Sequence, residues 1–239
     1  MSELKVKEKE IVVPGEVIAD GMGYLPSYGT YREGDTIKAQ KLGIVHIEGK
    51  VIKLMPLTGR YTPKKFDTII GKVFDILMSG WRLETNSAYS AVLPLKDASS
   101  DFIPRDAILS KYFEIGEYLV CKITNVTSQK LVDVTTKGPG LRKLRGGRII
   151  EVNTHKVPRI IGKQGSMVTM IKEYTKCQIV VGQNGLVWIS GEDPKMEHLT
   201  EETIKKIEKE AHTEGLTDNI KAFLEKQIGK PKAVKEAKK

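Results

Sequence analysis

Several features that define large protein classes are scarce in this chain of 239 residues. Only two residues are cysteine, Cys121 and Cys177, and they lie far apart without a Cys-x-x-Cys partner. This pattern argues against a disulfide framework and a cysteine zinc site, and it fits a reducing cytoplasm. No stretch approaches the roughly 18 consecutive apolar residues of a membrane span. We therefore expect a cytoplasmic protein that does not enter a membrane.

Aromatic residues are also few, at 6% of the chain, whereas charged residues make up 29% and hydrophobic residues 40%. This composition supports several modest cores rather than one large core. It is too apolar for a chain that is disordered throughout. The expected fold class is therefore multidomain, β-rich plus α+β.

The excess of basic residues is concentrated in two short segments. The chain has 39 Lys and Arg against 30 Asp and Glu, a net charge of +9. Residues 230–239 carry +4 without an apolar period, which predicts a disordered, solubilising tail. Residues 138–165 carry +6, but glycines interrupt the basic residues. Nucleic acid is therefore the expected partner of the second segment.

Residues 1–65 form a candidate amino-terminal β domain of short strands separated by turns. Its strand candidates are 11–13, 36–42, 44–47 and 51–57. A module of this size has little interior of its own, so we expect it to dock on a neighbour. Gly29, Thr30 and Tyr31 mark either a docking surface or a glycine-rich turn.

Residues 66–137 contain five strand candidates with one long connection after the third, which is typical of a small barrel of the OB type. These candidates are 68–78, 81–85, 88–93, 117–126 and 131–136. In the second strand, alternation places Trp81 on one face and Arg82 on the other. Trp81 could stack on a base if it faces outward, or it could belong to the core.

The long connection of the barrel carries three carboxylates, Asp97, Asp101 and Asp106. They have neither a histidine beside them nor a regular ligand spacing, so we interpret them as solvated charges and expect no metal site.

A basic linker, residues 138–148, follows the barrel. It contains four cations that are candidate contacts for nucleic acid: Arg142, Lys143, Arg145 and Arg148. After a strand candidate at 149–152, Pro158 fits the first turn of a short helix.

The sequence Gly162-Lys163-Gln164-Gly165 connects that short helix to a second helix. The two glycines leave the backbone bare, so a nucleic-acid chain can approach the exposed N–H groups and the positive helix end. Lys163 adds a mobile cation, and Arg159 and Lys156 flank the loop. A plain turn between two helices is the structural alternative.

The remaining elements complete a small α+β domain, residues 149–229. Asn184-Gly185 predicts a hairpin between strands 178–181 and 186–190. Asp193-Pro194 predicts the start of a helix, and a last helix over residues 218–228 is expected as a C-terminal helical extension of this domain.

Residues 149–212 resemble the KH domain in its type I order, and residues 66–137 look like the ribosomal-protein S-one type of OB domain. Taken together with its first module, the chain up to about Lys226 is similar to the archaeal exosome RNA-binding cap subunit. The further motifs that carry this resemblance are Val13-Pro14-Gly15, Gly29-Thr30-Tyr31, Gly59-Arg60-Tyr61 and the segment 182–189.

The resemblance implies a non-catalytic role without a cofactor. Three such subunits, alone or mixed with another cap subunit, would sit on a hexameric phosphorolytic exoribonuclease ring. They would capture single-stranded RNA, with a preference for A-rich sequences, and feed its 3′ ends into the ring. The amino-terminal module would dock on the ring.

Two other functions remain open from the residues alone. A nuclease is disfavoured because the four histidines, at 46, 155, 198 and 212, are scattered among different elements and form no catalytic motif. A free-standing regulator of translation or transcription could use the same RNA-binding domains without any ring.

Overall fold

The computed structural model describes residues 3–101, 103–104, 107–211, 213 and 215–228. Asp106, His212 and the basic tail, about which the sequence made predictions, lie outside these residues. The chain forms two compact units, Met1–Gly59 and Arg60–Lys239. In the described part of the chain, no helix has the length and apolar character needed to cross a membrane.

The described part of the first unit contains eight short strands in two sheets, of which the first is antiparallel and the second is mixed. In chain order they are β1 (Glu3–Leu4), β2 (Ile11–Val12), β3 (Val17–Asp20), β4 (Leu25–Pro26), β5 (Thr30–Glu33), β6 (Thr36–Ala39), β7 (Gly43–Glu48) and β8 (Val51–Pro56). The sheet orders are β1-β3-β6-β5 and β2-β7-β8-β4. Four of these strands, β1, β3, β4 and β5, were not predicted from the sequence.

The inward faces of both sheets supply one small core, to which Val12, Val45 and Leu54 contribute. The segment around Gly29 forms the predicted turn, because the φ angle of Gly29 is +79° and a Cβ atom there would lie 2.9 Å from the Cβ of Leu54. Thr30 is buried and its hydroxyl donates to the carbonyl of Ile52 at 3.0 Å.

The second unit begins with the predicted five-stranded barrel, which closes in the order β10-β11-β13-β12-β9. Its elements are β9 (Thr68–Leu77), β10 (Gly80–Glu84), β11 (Ala91–Pro94), α1 (Leu95–Ala98), a 3-10 turn (Leu109–Lys111), β12 (Tyr118–Val126) and β13 (Val132–Thr135). Residues 60–65 belong with this unit, since Tyr61 joins the barrel core. The parallel pair β11–β13 closes the barrel.

The basic linker is held against the barrel along part of its length. The N–H of Val120 donates to the carbonyl of Arg142 at 2.8 Å, and the N–H of Leu144 donates to the carbonyl of Tyr118 at 2.8 Å. Leu144 is buried beside Trp188. The linker thus extends the sheet beside β12 and is not a free hinge.

The predicted KH domain follows in type I order. Its elements are β14 (Arg148–Glu151), a 3-10 turn (Thr154–Lys156), α2 (Val157–Ile161), a second 3-10 turn (Lys163–Gly165), α3 (Ser166–Thr175), β15 (Gln178–Val181), β16 (Leu186–Ser190), α4 (Pro194–Lys209) and α5 (Leu216–Ile228). The sheet order is β14-β16-β15, with both pairs antiparallel. Asp193 caps α4 through its carboxylate, which accepts from the N–H of Lys195.

The helices of this domain cover one face of the sheet. Ile160, Ile171, Ile204 and Ile220 come from four different helices and share one buried cluster. α5 is therefore part of the domain's core rather than an appendage, and its Glu225 accepts a hydrogen bond from the hydroxyl of Tyr174 at 3.0 Å.

The hairpin turn between β15 and β16 joins the KH domain to the barrel. Asn184 is completely buried. Its Nδ2 donates to the carbonyls of Ile70 and Thr85 at 2.7 and 2.9 Å, and its Oδ1 accepts from the N–H of Ile70 at 3.2 Å. The side chain pairs with Ile70 as a neighbouring strand would, so the two domains meet through strand-like hydrogen bonds.

Candidate nucleic-acid interface

The Gly-x-x-Gly loop turns sharply between α2 and α3. The φ angles are +77° at Gly162, +54° at Gln164 and +82° at Gly165. Three of the loop's four residues therefore have a positive φ angle. Glycine adopts such an angle freely, whereas Gln164 does so at a small cost in backbone energy. Lys163 and Gln164 are exposed at the tip of this turn.

The two glycines have different surroundings. A Cβ atom on Gly162 would lie 2.7 Å from both the N and the Cβ of Met167, whereas a Cβ on Gly165 would have no heavy atom within 4 Å. Gly162 is therefore required for packing inside the turn. Gly165 leaves open space at the start of α3, where a ligand can approach.

The start of α3 is electrostatically positive. Gly165 is its N-cap and provides no side-chain cap, and the first turn has no acidic residue. The N-terminal amides of a helix attract anions such as phosphate. Arg159 and Lys163 are exposed, and neither has an ion-pair partner in the described part of the chain. The predicted flanking residue Lys156 instead donates to the carbonyl of Glu208 at 2.8 Å.

Three of the four linker cations have partners within the protein. Lys143 forms an ion pair with Glu117. Arg148 lies 3.1 Å from Glu201 and 3.7 Å from Glu197, measured between the charged atoms.

Arg142 donates to the side chain of Gln178 at 3.1 Å and lies over the ring of Trp188. Arg145, the fourth linker cation, is exposed. The linker cations therefore contribute positive charge near the barrel and KH domain, but most of them also hold the structure together.

The stacking role considered for Trp81 is wrong, because its ring is completely buried in the barrel. Its Nε1 donates to the carbonyl of Phe113 at 3.1 Å, and the two rings meet edge to face with centroids 5.1 Å apart. The core interpretation is confirmed. Arg82, on the opposite face, is partly exposed and lies 3.8 Å from the carboxylate of Asp75.

An aromatic pocket beside Arg82 was missed by the sequence analysis. The pocket has a volume of about 290 Å³ and is lined by Phe74, Glu84, Ser87, Ala88, Tyr89 and Ser90. Phe74 and Tyr89 are 42% and 38% exposed, and the guanidinium of Arg82 lies 5.9 Å from the centroid of the Phe74 ring. Such a combination of accessible rings and a cation can stack and bind a nucleotide. The sequence signal for this pocket is Phe74, an aromatic residue at an exposed position of the strand β9.

Hydrogen bonds fix the loop that carries this pocket. The hydroxyls of Thr85 and Ser87 both donate to the carbonyl of Tyr89 at 2.8 Å. The carbonyl of Thr85 also accepts from Asn184 of the KH hairpin at 2.9 Å. The pocket is thus supported by the KH domain.

The described residues contain no cluster of His, Cys, Asp and Glu that could hold a metal ion. Asp101 is exposed, in keeping with a solvated loop charge.

Two protein-family models match separate parts of the chain. Residues 147–195 match the family model described as the KH domain. Residues 11–48 match the model described as the N-terminal region of the exosome complex exonuclease RRP4.

Whole-chain relatives extend this likeness. The chain is 44% identical over 216 residues to the exosome complex component Rrp4 of Methanobrevibacter smithii, covering 90% of this chain and 71% of that protein. It is 42% identical over 229 residues to the same component of Pyrococcus furiosus, covering 94% and 86%. The crystal structure of a protein assigned as an exosome complex RNA-binding protein matches with a TM-score of 0.63 and 31% identity, over 71% of this chain and 97% of that one.

Proposed function

Because this chain belongs to the Rrp4 family of exosome complex components, we propose that it captures single-stranded RNA and feeds 3′ ends into a phosphorolytic exoribonuclease ring. The observation that carries the proposal is the Gly-x-x-Gly loop. It combines an uncapped helix start, open space at Gly165, and two cations, Arg159 and Lys163, that have no ion-pair partner in the described residues.

The loop would hold the RNA backbone and not a particular base. The amides at the start of α3 and the side chain of Lys163 would bind neighbouring phosphates. Contacts of this kind release counterions, so a grip on about five phosphates gives a slope of about −3.5 for log K against log salt concentration.

The pocket beside Arg82 supplies the second part of the proposed RNA contact. A base that enters between Phe74 and Tyr89 would gain stacking worth about 1–3 kcal/mol. The carboxylate of Glu84 would accept from an exocyclic amino group, which adenine has and uracil lacks. This arrangement supports the proposed preference for A-rich RNA.

An apolar row on the first unit is the proposed docking surface for the ring. In the register of the second sheet, Ile44 pairs with Ile11 on one side and Met55 on the other, so the three side chains share one face. Ile11 and Met55 are each 59% exposed. Contiguous exposed apolar side chains of this kind are typical of protein interfaces. Three copies, alone or mixed with another cap subunit, would occupy a hexameric ring.

The proposed role is non-catalytic and cytoplasmic. The solved structure that the chain resembles is named as an RNA-binding protein of the exosome complex, which supports a binding role. Both cysteines are unpaired and buried, as suits a reducing compartment. The word exonuclease in the name of one matching family makes a direct test of catalysis necessary.

The test mixes the purified chain with end-labelled single-stranded RNA, in the presence of magnesium and phosphate, with and without a reconstituted archaeal exosome ring. Retarded but intact RNA with the chain alone, and faster shortening with the ring, are expected. RNA shortened by the chain alone would contradict the non-catalytic role. Binding of RNA without any association with the ring would favour the free-standing regulator.

A further inference from the structure

An exposed aromatic ring with two nearby lysines lies at the start of the barrel. Phe66 is 66% exposed. The Nζ atoms of Lys65 and Lys122 lie 5.2 and 5.7 Å from the centroid of its ring. The nearest acidic residue in sequence, Asp67, already accepts a hydrogen bond from the hydroxyl of Tyr61 at 2.6 Å. The exposed ring is therefore accompanied by two lysine ammonium groups.

The backbone of Phe66 is held in an unusual conformation. Its φ angle is +74°, in the left-handed region that bulky residues avoid. Its N–H donates to the carbonyl of Ile123 at 2.8 Å, and the N–H of Ile123 donates to the carbonyl of Asp67 at 2.9 Å, which fixes the segment on β12. Neither core packing nor backbone preference accounts for a phenylalanine at this position, and such outliers are concentrated at functional sites.

We propose that Phe66, Lys65 and Lys122, here called the Phe66 platform, form a further contact for single-stranded RNA. A base would stack on the exposed ring, and the two ammonium groups would bind the phosphates on either side. Every base has a face that can stack, so this contact tolerates any sequence. An acidic protein surface would use the lysines but would gain little from the flat ring. The inference rests on the proposed RNA-binding function and adds a site to it.

The platform is separate from the aromatic pocket and lies near the contact between the barrel and the KH domain. Phe66 and Phe74 are eight residues apart in a largely extended segment, which corresponds to roughly 25 Å. Thr68 pairs with Lys122 across the ladder, and its carbonyl accepts from the N–H of Gln183 in the KH hairpin turn at 2.9 Å. RNA bound at the platform would therefore contact the barrel next to the KH domain.

A Phe66→Trp variant of the full chain tests the platform by fluorescence. The natural tryptophans, Trp81 and Trp188, are buried, so the new indole would be the accessible one. Titration with a 20-nucleotide oligoadenylate is expected to quench the new emission saturably. Leu131→Trp is the matched control, because Leu131 is 61% exposed on the same barrel and is not part of the platform. Its emission is expected to change little.

Binding constants of Phe66→Ala and Phe66→Leu complete the test. Both are expected to bind oligoadenylate about 5- to 100-fold more weakly, because the leucine keeps an apolar side chain but not the stacking face. Lys122→Ala is expected to lower the salt slope by about 0.7. Circular dichroism melting checks that each variant is folded.

Three results would overturn the proposal. If both Phe66 variants bind as the wild type does and the Phe66→Trp emission is not quenched, the platform does not contact RNA. If they bind RNA normally but lose association with the exosome ring, the platform is a protein contact. If the wild-type chain itself leaves the RNA free, the proposed function fails, and the platform fails with it.

Discussion

The side chain of Asn184 pairs with both backbone groups of Ile70, accepting from its N–H at 3.2 Å and donating to its carbonyl at 2.7 Å. One amide thus pairs with β9 at Ile70, just before the β9–β10 pairing begins at Lys72 and Glu84. The approach is close: a Cβ atom on Gly182 would lie 2.4 Å from Oδ1 of Asn184 and 2.9 Å from the N of Ile70. The barrel and KH domain are therefore joined by a specific, buried contact.

Asn184→Ala is expected to lower the free energy of unfolding by about 3 kcal/mol, because buried groups of Ile70 and Thr85 lose their partners. Asn184→Asp keeps the shape but replaces a donor by an acceptor that faces two carbonyls, so it is expected to destabilise at least as much. Denaturant unfolding measures both. Asn125→Ala, at an exposed position of the barrel, is the control, and an equal loss there would argue against this account.

Acid is expected to weaken the contact between α4 and β14. Hydrogen bonds from Lys205 and Arg148 hold the pKa of Glu201 below its ordinary value. A lowered carboxylate pKa in the folded state stabilises the fold above the unfolded pKa of about 4.5, and this gain is lost as the pH falls through the folded value.

Glu201→Gln is therefore expected to cost about 1 kcal/mol at pH 7, and this cost should shrink steadily as the pH falls below the unfolded pKa of about 4.5. Urea unfolding at several pH values gives the difference. Glu192→Gln, on an exposed loop, should show no such dependence. A wild-type minus Glu201→Gln difference that is constant with pH would contradict the assignment.

Phe66→Asn is expected to separate stability from RNA binding. Asparagine adopts the left-handed backbone more easily, so the free energy of unfolding should stay constant or rise by about 0.5–1 kcal/mol. Affinity for RNA should fall because the stacking face is lost. Thermal unfolding and RNA titration on the same sample measure both. A clear loss of stability would show that the ring packs on the protein instead.

A negative charge in the apolar row of the first unit is expected to prevent binding to the ring without unfolding the protein. Met55→Asp should leave the unfolding free energy within about 0.5 kcal/mol, since the side chain is exposed. The same variant should not co-elute with the reconstituted ring in size-exclusion chromatography. Met22→Asp, at another exposed methionine of the unit, is the matched control. Co-elution of Met55→Asp would place the docking surface elsewhere.

The KH domain was predictable because its signals are local. Pro158, the Asn184-Gly185 turn and the Asp193-Pro194 cap each determine a backbone conformation within a few residues. The barrel strands β9, β10 and β12 were found for a different reason, since they have five residues or more and can show alternation. The shortest strands that were missed, β1 and β4, have two residues each and carry no measurable period.

Long-range features of the site were less predictable. Alternation in β10 predicts two faces but not which of them is buried, so the sequence alone left two positions open for Trp81. The structure shows that Trp81 lies in the core of the barrel. The cations of the linker were predicted as contacts for nucleic acid, whereas Lys143 and Arg148 pair with acidic residues distant in sequence. Phe66 and the pocket beside Arg82 depend on strand register and exposure, which composition does not reveal.

The most direct test of the central claim compares RNA binding by the wild type with that of Gly165→Asp. The aspartate adds a negative charge in open space at the start of α3, so the fold should persist. Gly34→Asp, in the other unit, is the control, because its φ angle is also positive and its Cβ space is also open.

End-labelled oligoadenylate should be titrated over a range of potassium chloride concentrations, and its length read on a denaturing gel. We expect intact RNA, a slope of about −3 to −4 for the wild type, about tenfold weaker binding by Gly165→Asp, and wild-type binding by Gly34→Asp. A flat salt profile, or equal affinity of Gly165→Asp and the wild type, would contradict an RNA grip at this loop.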